Sequence, residues 1–129
     1  MAIVTKYGFV ETAKLMTGET ATAWASIALG TGSQAEDTDV SALATEITDS
    51  GLSRVSAATV TVASSATDGD TCKFEHTWTA TGAKNVKETG VFNSSSGGDL
   101  LCYATFASAI PMESDDTLKV TWSVQVKAG

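Results

Sequence analysis

Apolar and polar positions alternate through most of the second half of the chain. Thr71–Thr79 (TCKFEHTWT) puts Cys72, Phe74, His76 and Trp78 on one side and Thr71, Lys73, Glu75, Thr77 and Thr79 on the other. That is the period of two that a half-buried strand requires. Residues 118–126 repeat it, with Leu118, Val120, Trp122, Val124 and Val126 on the apolar side. Residues 52–63 (LSRVSAATVTVA) are rich in β-branched side chains, which favour strands. Residues 85–92 and 100–106 flank the Ser/Gly stretch 93–99 as the arms of a hairpin flank its loop. Turn chemistry separates these strands at residues 66–70 and at Thr81-Gly82. Pro111 is expected in the connection before the last strand, where no ladder hydrogen bond is lost.

The first third of the chain follows a different period. Residues 5–16 (TKYGFVETAKLM) predict a short helix, with Phe9, Ala13 and Met16 on one side, Thr5 as its cap and Gly18 just past its end. Residues 22–29 form an apolar strand that contains Trp24 and Ile27. In residues 39–47 (DVSALATEI), Val40, Leu43 and Ile47 recur at helical spacing, predicting one or two turns of helix capped by Asp39. Strands with one apolar face each imply two packed antiparallel sheets or a small closed barrel. The expected fold is therefore mainly β: an antiparallel β-sandwich, jelly-roll or Ig-like, with one or two short N-terminal helices, in a single domain over residues 1–129.

Composition narrows the chemistry. With 129 residues and 43% apolar side chains, the chain can bury a core without metal or disulfide help. No apolar run approaches the ~18 residues of a membrane span. The opening MAIVTKYGFVETAK lacks an apolar signal core, so the chain is expected to stay in the compartment where it is made. A net charge of −7 opposes binding to a nucleic-acid backbone. Two cysteines, one histidine and no CxxC leave no metal-ligand spacing, and no cofactor is expected.

One motif tests that expectation. Gly30-Thr-Gly32-Ser-Gln-Ala35 fits G-x-G-x-x-A, the phosphate-binding fingerprint of dinucleotide folds. That site also needs a βαβ unit and a parallel sheet, whereas this chain continues as antiparallel strands. The residues after the turn include Glu36, Asp37 and Asp39, which would repel a pyrophosphate. The glycines are better read as allowing positive φ or a close backbone approach.

The same residues carry a family resemblance. An MAIVT-like opening and helix lead into Trp24-Ala-Ser-Ile-Ala-Leu-Gly-Thr-Gly32, then Ala42-Leu-Ala-Thr-Glu46 and the Arg-bearing strand Gly51-Leu-Ser-Arg54. Ala80-Thr-Gly82, Glu88-Thr-Gly-Val-Phe-Asn93, a Ser/Gly hairpin and an L-x-V-x-W strand at residues 118–122 follow. In this order they resemble small bacteriophage virion proteins labelled tail-fibre or capsid decoration proteins. The resemblance implies a virion structural role, made in the host bacterial cytoplasm, with no catalytic residues to carry over. It points first to a capsid decoration, or cement, protein that contacts the major capsid protein and itself, as a trimer. A tail fibre or tail adaptor module is the alternative.

The remaining candidates are few. His76 lies between Phe74 and Trp78 on the apolar side of its strand, the place of a core or interface residue. Cys72 and Cys102 are a candidate disulfide pair, with two buried free thiols as the alternative. Glu88 reads as a charge paired with Arg54 or Lys87, or solvated, ahead of a general base. The loop 93–99 reads as an exposed connector. Ala2, Ile3 and Val4 would either contact a neighbouring subunit as an edge strand or pack on their own core. A carbohydrate-binding sandwich would need exposed faces on Trp24, Trp78 and Trp122, while alternation places the last two inward.

Overall fold

The alternating segments pair into two antiparallel sheets. The computed structural model describes residues 2–57, 59–64 and 68–126. The larger sheet contains β1 (Ala2–Val4), β2 (Ser26–Gly30), β3 (Val55–Ser56), β6 (Lys84–Phe92) and β7 (Leu100–Met112), in the order β1-β7-β6-β2-β3. The smaller contains β4 (Thr59–Ala63), β5 (Thr71–Thr79) and β8 (Thr117–Gln125), in the order β4-β5-β8. Ile27, Leu29, Val86 and Val91 of the large sheet share one buried cluster with Phe74, Trp78 and Trp122 of the small one. The expected antiparallel sandwich is the fold, and β5 has the predicted bounds.

One helix, α1 (Lys6–Thr17), precedes the main strands. Both its ends follow the sequence signals. The Thr5 hydroxyl accepts from the Gly8 N–H, and Gly18 closes the helix at φ 76°. The buried face is not the predicted one. Phe9 is 59% exposed and Met16 83%, while Gly8 and Glu11 are buried. Anchoring outweighs apolar periodicity here. The Thr5 N–H donates to the Leu101 carbonyl at 3.0 Å, and its hydroxyl donates to the Leu100 carbonyl. These bonds press the Gly8 side of the helix onto β7, and the apolar stripe Phe9-Ala13-Met16 turns outward.

Three expectations change. Residues 39–47 form no helix. The Thr31 N–H donates to the Thr45 carbonyl and the Ile47 N–H to the Leu29 carbonyl, both at 2.9 Å, so this backbone is paired with the end of β2. Leu43 and Ile47 are buried all the same, and that burial produced the apparent helical period. Second, residues 52–63 hold two strands in different sheets, β3 and β4. Third, Pro111 lies inside β7, opposite Asn85. β1 covers β7 only at residues 102–104, so the other side of Pro111 needs no N–H. Of the turn expected at 66–70, residues 66 and 67 lie outside the described residues; Gly69 adopts φ 74°.

Gly8→Ala tests the docking of α1. Glycine to alanine inside a helix ordinarily stabilises by about 1 kcal/mol. Here the new Cβ would stand 2.5 Å from the Leu101 carbonyl oxygen and 2.9 Å from its side chain. Urea unfolding is expected to show a loss of ~1–3 kcal/mol. A gain would mean that the helix does not sit this close.

Candidate functional site

Glu88 is a buried carboxylate held on all sides in the sandwich. It sits on β6 opposite Gly30 and is fully buried. Its Oε1 accepts from the Ala44 N–H at 2.8 Å and from the Tyr103 hydroxyl at 2.7 Å, and its Oε2 accepts from the Thr45 N–H at 2.8 Å. The carboxylate thus fastens the strap of residues 31–47 to the centre of the large sheet. Burial, with the Glu88 carboxylate beside it, holds the Tyr103 phenol well above its ordinary range. Glu88 is neither solvated nor paired with Arg54 or Lys87, as the sequence suggested.

The glycine turn now has its explanation. Neither Gly30 nor Gly32 has positive φ. A Cβ on Gly30 would collide with the Glu88 carboxylate and stand 2.7 Å from the Thr45 carbonyl oxygen. Of the two structural uses foreseen for these glycines, close approach is the one realised. The apparent phosphate fingerprint is room for a buried carboxylate.

Arg54 makes a second hub. Its Nε donates to Glu46 Oε2 at 3.0 Å and its Nη2 to Glu46 Oε1 at 2.6 Å, a bidentate pair. Nη1 donates to the carbonyls of Ser94 and Gly97 at 3.1 and 2.7 Å. The guanidinium also lies 3.7 Å from the centre of the Phe92 ring. The loop 93–99 is therefore gripped through its backbone. Beside the grip lies an open cavity of about 380 Å³ lined by Glu46, Thr48, Arg54, Ser95, Ser96 and Gly97. The sequence offered no sign that Arg54 would pair with Glu46, because the two meet only once the strap lies along β2.

The other candidates are dispersed. Cys72 on β5 and Cys102 on β7 are free thiols, the first exposed and the second buried. His76 packs edge-on against Trp78 with ring centres 4.7 Å apart, and its Nδ1 has no hydrogen-bond partner among the described residues. Trp24, Trp78 and Trp122 are all buried, so none presents the open face a sugar would stack on. Ala2, Ile3 and Val4 pair with Ala104, Tyr103 and Cys102 of their own chain, and β1 keeps one open edge. Among the described residues no cluster of His, Cys, Asp or Glu could hold a metal ion, and no helix is long and apolar enough to cross a membrane.

The polar groups described above hold segments of a β-sandwich to one another, and the comparison with known families agrees with a structural class. A family model described as Podophage GP4 fiber I protein gp80 matches residues 12–126. The match spans from within α1 to just past β8, and the chain belongs to that family. It is a structural protein of the bacteriophage virion, of tail-fibre-like kind. Among curated proteins none matches the chain.

Two outcomes are expected at these residues. Glu88→Gln puts an amide NH₂ among N–H and O–H donors and should cost about 2–4 kcal/mol in denaturant unfolding; Tyr103→Phe removes one donor and should cost about 1 kcal/mol. Equal, small effects would show that the carboxylate is not the staple. The thiols should also separate. Burial pushes the Cys102 thiol up to about 12. A thiol-disulfide reagent at mildly alkaline pH should modify Cys72 alone in the folded protein and both cysteines after denaturation.

Proposed function

We propose that the chain is a contact module of a phage tail fibre. The family match over residues 12–126, whose description names a fibre protein, carries this reading. A cement protein on the head shell, bound to the major capsid protein, is the reading the match favours less. The module would work by adhesion and without catalysis. Glu88, the carboxylate best buried for acid–base work, has its oxygens engaged by Ala44, Thr45 and Tyr103, which suits a staple. Its partners would be other virion proteins and further copies of itself, with many weak contacts made strong by repetition. The backbone grip of Arg54 on the loop 93–99 would present that loop in one shape at the surface.

Quantitative peptide mass spectrometry of purified particles tests this. A tail fibre module should be present at a small fraction of the major shell protein. A ratio of about one per shell subunit, as shell symmetry demands of a decoration protein, would overturn the tail reading. Gold-labelled antibody should mark the tail in electron micrographs.

A further inference from the structure

Among the described residues four strands end the two sheets, and three of them are protected against pairing, as Pro111 protects the length of β7 that β1 leaves uncovered. β1 has three residues and β3 has two. β8 carries Lys119, whose ammonium lies 3.3 Å from Glu75. Short edges and edge lysines are the usual devices that stop one sheet from extending into another. β4 has none of them. Its five residues, TVTVA, contain no charge, no proline and no break in register with β5.

β4 is also uncovered on the face that should be the core. Val60 and Val62 lie opposite Phe74 and Cys72, so they share the inward side of β5, yet they are 52% and 71% exposed. They border a cavity of about 280 Å³ whose other walls include Leu15, Trp24 and Phe74. A second cavity of about 150 Å³ shares Leu15, Trp24 and Phe74 and continues the apolar lining to Val124 and Val126. Among the described residues the small sheet therefore ends in an open strand edge beside an apolar groove.

We propose that two copies of this chain join through β4, antiparallel and edge to edge, about a two-fold axis at Thr61. The strand is close to its own complement. With Thr61 opposite Thr61, Val60 faces Val62 of the other copy, Thr59 faces Ala63, and both inward faces stay aligned. The two small sheets then run on as one, in the order β8-β5-β4-β4-β5-β8. Charge does not oppose a copy at this place. Each chain carries −7, and an uncharged strand brings the two together where like charges are absent. The inference goes beyond the fibre reading and does not depend on it.

Sedimentation equilibrium of the whole chain under reducing conditions tests it. The expected result is a dimer that Val62→Lys weakens at least ~10-fold, the effect of an edge lysine. Thr77→Lys, on the outer side of β5, should leave the dimer intact. A monomer at every concentration, a trimer, or a dimer indifferent to Val62→Lys would overturn the proposal. Should Val62→Lys fail to fold, Thr61→Cys with Cys72→Ser provides a second test. Directly opposed antiparallel residues have Cα atoms ~4.5–5.5 Å apart, within disulfide reach. Mild oxidation should then give a covalent dimer, and Thr77→Cys with Cys72→Ser should give none. Failure of Thr61→Cys to cross-link would overturn the axis.

Discussion

A carboxylate without water must be met by donors, and this structure is arranged around one such carboxylate. An uncompensated charge or polar group inside a protein costs several kcal/mol, so Glu88 is tolerable only where N–H and O–H groups converge on it. Two of its donors are backbone amides of the strap, which can reach it only where Gly30 has no side chain. The third is Tyr103, which must sit on the neighbouring strand β7. One group thus ties together β2, β6, β7 and the longest irregular segment of the chain. Two of the segments that carry the family resemblance, the GTG turn and the E-T-G-V-F strand, meet at this point.

The parts of the fold legible in sequence were those governed by local pattern. β5 could be read to the residue because its alternation is unbroken and its turns are marked on both sides. Thr5 and Gly18 announced the ends of α1 because capping is chemistry within a few residues. What could not be read depends on partners far along the chain. Leu43 and Ile47 keep helical spacing, yet the backbone of residues 44–47 pairs with the end of β2 and with a side chain on β6. The apolar stripe of α1 looked like a core face because periodicity states which residues are alike, not which side is covered.

The site was half legible for the same reason. The glycine motif drew attention to the right place, and the charges after it argued against phosphate. Its positive explanation needed Glu88, more than fifty residues away in sequence. Arg54 and Glu46 are closer, but their meeting depends on the strap that Glu88 fixes. Aromatic burial was easier to anticipate, since Trp78 and Trp122 stand in clean alternation and both are in the core.

The grip on the loop 93–99 separates shape from identity. Arg54 holds the carbonyls of Ser94 and Gly97, which any residue would supply, and the bend itself rests on Gly97 and Gly98 at φ 60° and 75°. Ser95 and Ser96 are exposed, and their side chains take no part in the arginine's bonds. Their chemistry can drift under selection while the backbone keeps its form. The tip can be rewritten one residue at a time without renegotiating the fold beneath it.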